Sequence, residues 1–568
     1  MHPSRPSIPL VLLLAGLLQA CATRPTLPLL PIGHVQGSGM ESPLTGRHVR
    51  IQGVVTADFR EGLGLLAIQD SGDGDPSTSD ALFLVDAPAT LRVGQAVSVS
   101  GTVEEIESGR DNRITALRVL ETRLLKARPM PAPTPLEAVP ADAAGWERLE
   151  AMRVHVPLPL TLTGSYNAAR FGEWQAVFGD RLQTPTEIAL PGRDAAEAAR
   201  RNRARSLWLD DGSTRERPAH PMAREVPRIG SRIIGVKGIV DERHGRHRLQ
   251  LPAMPRIEPA ARPAAPARGG EVRVVAFNLQ NLFNGDGRGG GFPTARGART
   301  EARYLAQRAR LVEAMAALDA DILVLAEMEN DGQGPLSSEA QLLAALNERH
   351  GGDWRAIPVP ANANDDAIRN SVLYRAGRVQ AQSAPLALDA GPFAERNRPA
   401  LAARFRAGDG PVFAVVANHL KSKGCRDAVG ADRDIGDGQG CWNATRLDSV
   451  QRLHAWVGQH FAAMPVLMLG DFNAYAMEDP PRWLRESGWR DALADHGDAI
   501  PYSYVHEGQA GRLDHAFANA SMAERLQDAT EWHINADEPD VPDLHPAGGP
   551  WRSSDHDPLV LDLRLRSR

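Results

Sequence analysis

The chain has 568 residues, 42% of them hydrophobic and 24% charged, with a formal net charge of −6. That length exceeds one ordinary core, so several domains are expected, and the composition excludes wholesale disorder. A net-negative chain is not a uniformly basic nucleic-acid binder, so a local patch or a cation has to meet any polyanion.

The N-terminus reads as an export signal: Arg5 precedes an apolar run, Leu10 to Leu18, too short to span a bilayer. The run ends in Leu18-Gln19-Ala20-Cys21-Ala22. Leu-x-Ala-Cys looks like a bacterial lipobox, with residues 1–21 as a lipoprotein-type signal and Cys21 acylated as an outer-membrane anchor. The same small residues also fit ordinary signal cleavage. Either way the chain is expected to be exported, extracellular or lipid-anchored. Two further cysteines, Cys425 and Cys441, flank one loop. In an oxidising compartment they are candidates for a disulfide; two free thiols are the other reading.

Residues 40–128 consist of short alternating runs broken by Gly and Asp, such as HVRIQGVV (48–55) and QAVSVSGTV (95–103), which predict a small all-β barrel. These phrases are similar to the OB-fold modules that precede secreted bacterial nucleases. OB-folds often bind single strands or oligosaccharides; aromatic residues for base stacking are few here, so a structural spacer is at least an equal reading. Pro129 to Pro135 marks a linker, and a second β-rich module covers 136–258. Its segments Ala143 to Met152 and Gly164 to Asn167 also resemble those proteins. Arg193, Arg200, Arg201, Arg203 and Arg205 crowd a predicted helix ahead of Trp208. They read either as a phosphate-tracking surface or as a solvated helix face.

A Pro/Ala linker at 259–270 leads into a third domain, 271–568, in which strand and helix alternate. Strands are expected at Val272–Phe277, Ile322–Leu325, Ala400–Phe405, Val412–Val416, Val466–Leu469 and Leu559–Leu563. A helix is expected over Ala298–Leu318, with Leu305, Val312, Met315 and Leu318 on its apolar stripe.

The chemistry lies at the ends of these strands. VVAFNLQNL ends in Asn278, DILVLAEMEN carries Glu327, and VVANHLKSKG carries His419, Lys421 and Lys423. GDFN holds Asp471 and Asn473, RLDH holds Asp514, and SDHDP holds Asp555 and His556. Carboxylates, amides and a His–Asp pair are the parts needed to hold a divalent metal and activate water against a phosphodiester.

Six such motifs in this order resemble the endonuclease/exonuclease/phosphatase superfamily, and the stretch from Asn418 to Arg446 is similar to its secreted bacterial nuclease branch. The resemblance implies an α/β fold: a deoxyribonuclease-like two-sheet β-sandwich flanked by helices, preceded here by OB-fold-like domains. It implies metal ligation by Asn278, Glu327 and Asp555, with Mg2+ expected and Mn2+ or Ca2+ as alternatives. His419, Asp471, Asn473, Asp514 and His556 become the catalytic set. Asp514 orients His556, His419 either protonates the leaving oxygen or stabilises the pentacovalent phosphorane, Asn473 donates to phosphoryl oxygens, and the base is either Asp471 or His556. Arg398, Lys421 and Lys423 are expected at the substrate phosphates. Asp432, Asp434 and Asp437 form either a calcium loop or a solvated acidic loop.

The function these features imply is a metal-dependent endonuclease of extracellular DNA, with RNA also open; no protein partner is inferred. Another phosphodiesterase such as a sphingomyelinase, and a non-catalytic OB-fold surface protein, are the competing readings. An aromatic content of 5% supplies no evident membrane-entry hairpin for the former, and six retained motif positions argue against the latter.

Overall fold

The computed structural model describes residues 27–109, 112–360, 365–497, 500–541 and 548–565. The signal segment and Cys21 lie outside the described residues. His48–Phe59, Leu65–Gln69, Ala81–Val85, Ala96–Gly109 and Asn112–Leu124 close into a barrel, in the order first, second, third, fifth, fourth. Strand alternation sends Val49, Ile51 and Val55 inward against Leu66, Leu82 and Val97. The barrel's Phe59 and Phe83 are both buried, so neither ring is open to base stacking.

A nine-stranded sheet follows, built from strands between Thr134 and Glu258. The barrel is fastened to it through Glu150, whose Oε1 accepts from Gln36 Nε2 (3.2 Å) and the Thr115 N–H (3.0 Å). The arginine-rich stretch is the helix Arg193–Arg203. On it Arg200 and Arg201 turn to Glu197 on an exposed face, as a solvated helix surface does.

The third part is a sandwich of two sheets. One runs Trp354–Ala356, Ile368–Arg375, Ile322–Glu329, Val272–Leu282, Leu559–Leu563, Leu526–Glu531. The other runs Gln380–Ala381, Ala400–Arg406, Phe413–His419, Val466–Asp471, Asp514–Ala518, Arg490–Asp491, with Leu386–Leu388 beside Ala400–Arg406. Period-two alternation divides each strand. Val272, Val274 and Ala276 face the opposite sheet, whereas Val275, Phe277 and Leu279 face helices Glu301–Leu318 and Ser338–His350. Helix Asn443–Phe461 covers the outer face of the second sheet through Val450, Leu453 and Val457. Burial on both faces explains why these strands read as continuous apolar runs.

Thr300 caps the first of these helices at the Arg303 N–H (3.3 Å), so it starts at Glu301 rather than Ala298. Tyr304 takes the buried position expected of Leu305, which is exposed one step around the helix.

The middle sheet does not stand apart from the sandwich. Leu182–Gln183 pairs in parallel with Gln509–Gly511. Asp537 and Glu538 collect Arg181, Arg228 and Arg262 at 3.0, 2.6 and 2.7 Å. Arg262 belongs to the Pro/Ala stretch, which is therefore pinned to the sandwich.

Candidate active site

Strand direction brings the motifs to one end of the sandwich. Val272–Leu282 and Ile322–Glu329 are parallel, so Asn278 and Glu327 emerge on the same side. Phe413–His419 and Val466–Asp471 are also parallel and pair His419 with Asp471. Asp514 begins an antiparallel strand directly opposite Asp471. Asp555 and His556 precede Leu559–Leu563, which runs antiparallel to Val272–Leu282 and so starts at that end.

Local backbone strain aims several of these groups. Glu327 sits at φ 61° and Asn473 at φ 48°. Pairing slips around Glu327, between Leu325 and Met328, an irregularity of the kind that redirects a side chain next to a site. Gly470 is required beside Asp471: at φ 133° a Cβ would lie 2.1 Å from the Asn418 carbonyl oxygen.

Ligand atoms of Glu327, His419 and Asp471 all lie within 4.8 Å of one another. Asn278 Nδ2 donates to Glu327 Oε1 (3.2 Å) and Asp471 Oδ2 (3.1 Å), while its Oδ1 accepts from the Gln280 N–H (2.9 Å). Asn278 therefore ties the two carboxylates together and does not present an oxygen to a metal. Asp555 is near enough that its charge, after burial, helps push Glu327 upward. Burial likewise pushes Asp471 up to about 7 against the opposing pull of His556.

His556 Nδ1 donates to Asp514 Oδ2 (2.7 Å), and Ser503 Oγ donates to the same oxygen (2.7 Å). Burial opposes charging of His556, but Asp514, Asp555 and Asp471 outweigh it and hold the ring well above its ordinary range. His419 is the opposite case. Burial first, then Arg398, His556, Arg296 and Lys421, hold it well below that range. Its Nε2 lies 3.5 Å from Asp471, and its buried Nδ1 has no partner. One imidazole is kept neutral and the other charged, across one carboxylate.

Asn473 donates its backbone N–H to Asp471 Oδ1 (2.8 Å) and its Nδ2 to the Leu420 carbonyl (3.1 Å). Arg398 lies beside the cluster, with Nε 3.1 Å from Asp366. Lys421 extends over the Trp442 ring at 5.1 Å. Lys423, expected at the phosphates, is turned away: its ammonium is 2.6 Å from buried Glu478 and 2.6 Å from the Gln439 carbonyl. A buried carboxylate without that partner would be costly, and this accounts for the placement.

In the acidic loop, Asp432 accepts from Thr445, Asp434 from the Gly436 N–H and Asp437 from Gln439. Asp434 and Asp437 each close their own turn and Asp432 holds the first turn of the helix Asn443–Phe461, so the three carboxylates are engaged separately. Cys425 and Cys441 are joined in a disulfide across 16 residues. Opening it in a Cys425→Ser, Cys441→Ser variant is expected to cost about 3 kcal/mol by freeing the unfolded chain. Thermal melting measures this, and an unchanged melting temperature would contradict it.

Several participants escaped the motif reading. Ser503 and Tyr504 precede the RLDH motif on a hairpin; the Tyr504 ring packs 4.7 Å from His556. Ser554 Oγ donates to the Asn278 carbonyl (2.6 Å), joining the first and last motifs. Arg296 lies in a glycine-rich loop whose sequence carries no periodicity to place it. Glu187, in the middle module, accepts from the Ala476 N–H (3.1 Å), the Arg512 N–H (3.1 Å) and Arg512 Nε (2.8 Å). It thereby braces the segments that follow Asn473 and precede Asp514.

Residues 275–556 match the model of the Endonuclease/Exonuclease/phosphatase family. Similar solved structures include an endonuclease/exonuclease/phosphatase from Bacteroides vulgatus, 14% identical, with 52% of this chain and 99% of that one covered at a TM-score of 0.35. The human Nocturnin catalytic domain is 17% identical over 51% of this chain and 92% of its own, also at 0.35. A mannosyl-6-phosphatase from Bacteroides thetaiotaomicron is 15% identical over 51% and 99%, at 0.34. No curated protein matches the chain. The family match spans the segment that contributes Asn278, Glu327, His419, Asp471, Asp514 and His556, and residues 275–556 are a domain of the Endonuclease/Exonuclease/phosphatase family.

Proposed function

We propose that the chain is a metal-dependent nuclease that hydrolyses phosphodiester bonds of DNA outside the cell, with RNA as a further substrate to test. The observation that carries this reading is the convergence of Glu327, His419, Asp471 and the Asp514–His556 pair at one sandwich end. Family members are hydrolases of phosphodiesters or phosphate esters. Digestion of plasmid DNA by the purified protein, with and without EDTA, tests the proposal; undegraded plasmid in the presence of Mg2+ and Mn2+ would reject it.

The donor set fits a divalent cation. Glu327 is a half-buried and Asp471 a buried carboxylate, both raised in pKa first by desolvation, and His419 is a neutral imidazole with an unpartnered nitrogen. Glu327 would hold the ion with Asp555 nearby, which leaves Asp471 for the proton, and carboxylate oxygens suit Mg2+ or Mn2+. When bound, the cation polarises a phosphoryl oxygen.

The chain's own groups supply the rest. Asp471 positions the attacking water and accepts its proton, since a carboxyl near pKa 7 is matched to that task at neutral pH. His556, kept charged by Asp514, carries the proton that the leaving oxygen must gain, and neutral His419 hydrogen-bonds that oxygen. Asn278 fixes the spacing of the two carboxylates.

Glu327→Ala is expected to raise the Mg2+ concentration for half-maximal activity by about tenfold or more, with activity partly restored at high Mg2+. A loss that no Mg2+ concentration relieves would give Glu327 a role other than ligation.

The same reading has the chain exported, with Cys21 as its lipid attachment and the barrel as an OB-fold-like module that displays the nuclease away from the membrane. Mass spectrometry of the mature N-terminus tests the anchor: an unacylated terminus would remove it.

A further inference from the structure

Beside the catalytic end lies a second concavity of about 370 Å³ that the reaction does not use. Its walls are Gln280 and Asn281, the helix Glu301–Leu318 through Arg303, Gln307 and Arg310, and the segment Arg552–Ser553. Two of these walls continue directly into the site. The Asn281 N–H donates to Glu327 Oε2 (2.8 Å), and Ser554, next to Ser553, donates to the Asn278 carbonyl (2.6 Å). Gln307 Nε2 fixes the helix to the first wall by donating to the Leu279 (2.8 Å) and Gln280 (3.1 Å) carbonyls.

The cavity is positively charged at close range. Arg303, Arg310 and Arg552 line it against one acid, Asp540, which lies 3.7 Å from Arg552 Nη2. Arg310 Nε donates to the Arg552 carbonyl (3.1 Å), holding two guanidinium-bearing residues together. Their mutual repulsion shows in Arg310, which burial first and Arg552 second push below the ordinary range. Arg552 is held at φ 54° by its N–H on the Ile534 carbonyl (2.9 Å) and its Nη1 on the Asn535 carbonyl (3.2 Å), yet its buried Nε has no partner. Arg303 is exposed and, among the described residues, has no acid paired with it. An anion in the cavity would relieve the repulsion, and guanidinium forks match phosphate oxygens bidentately. The volume falls within the range of small-ligand sites.

We infer that this cavity is a subsite for a phosphate flanking the cleaved one, so that the substrate is a polynucleotide and not a phosphomonoester or an isolated small diester. The inference rests on reading the neighbouring centre as a phosphodiesterase. A flanking phosphate seated on Arg303, Arg310 and Arg552 would set the register of the strand across Glu327 and His556.

The test uses the full chain and its Arg303→Gln and Arg552→Gln variants, with Arg303 chosen because its exposed side chain makes no ion pair among the described residues. Hydrolysis of an oligonucleotide and of bis(p-nitrophenyl) phosphate is compared at several salt concentrations. Each variant is expected to lose at least tenfold more kcat/KM on the oligonucleotide than on the small diester, mainly through KM. The log–log salt dependence of oligonucleotide binding should fall by about one per contact removed. Binding is read separately by fluorescence anisotropy in EDTA, which reports on the subsite even if the centre cleaves neither substrate. Equal losses on both substrates, or an unchanged salt dependence in EDTA, would overturn the inference. Calorimetry with inorganic phosphate separates the other source: phosphate binding that Arg303→Gln abolishes, with oligonucleotide binding intact, would make the cavity a free-phosphate site and also overturn it.

Discussion

Replacing Asp471 with Asn is expected to lower turnover by about 10²- to 10⁴-fold, the range that loss of a positioned acid–base group produces. The substitution is nearly isosteric. Asp471 is buried, accepts from the Asn473 N–H and from Asn278 Nδ2, and stands opposite Asp514 in the strand pairing. An amide oxygen preserves one of these bonds while removing the proton-accepting charge. His556→Ala is expected to cause a loss of the same order by a different route. It leaves Asp514 bound by Ser503 alone among the described side chains and deletes the cation held over the site. Because the two groups act on one transition state, the double variant should lose little more than the worse single variant. Steady-state hydrolysis checks these outcomes alongside thermal melting of each variant. Turnover within about tenfold of the parent, in a folded Asp471→Asn protein, would take Asp471 out of the reacting set.

The positions of the candidate site groups were legible because each borders an apolar run, and a run buried on both faces is a strand whose end must be exposed to something. Asn278, Glu327, His419 and Asp471 lie toward the far end of such a run, whereas Asp514 and Asp555–His556 lead into one. The Cys425–Cys441 pair was legible for a similar reason, since both flank one loop. Orientation was less accessible. Nothing in the AFNLQ segment shows that Asn278 would turn its Nδ2 to the carboxylates, a choice made by the Gln280 N–H taking its Oδ1. Lys423 was misread because a lysine shortly after a site histidine looks the same whether it meets a phosphate or a buried acid. Its partner Glu478 lies 55 residues away and is visible only once the chain is folded. Glu187 was missed for the same reason at a greater distance, 325 residues before Arg512.

That distance gives the second large effect. Glu187→Ala is expected to destabilise the folded chain by about 3–5 kcal/mol, the usual result of removing one member of a buried ion pair. Burial pushes the Glu187 carboxyl upward even with Arg512 against it, so the pair is held at substantial desolvation cost and is poorly tolerant of being halved. Loss of the carboxylate strands the buried Arg512 guanidinium, whose other contact is Asp491 at 3.3 Å. It also leaves the Ala476 and Arg512 backbone N–H groups without an acceptor. Those two groups flank the segments that hold Asn473 and Asp514, so activity should fall below the melting transition as well as through it. Glu187→Gln is the informative partner variant. Its amide oxygen can take the Oε2 place and still accept from the Ala476 and Arg512 N–H groups, losing the guanidinium contact, so its cost should be smaller than that of Ala. Thermal melting of the full chain should show the Ala variant lowered by roughly 6 °C or more, with Gln between it and the parent. A parent-like melting curve for Glu187→Ala would mean that the middle module merely rests against the catalytic sandwich and does not brace it.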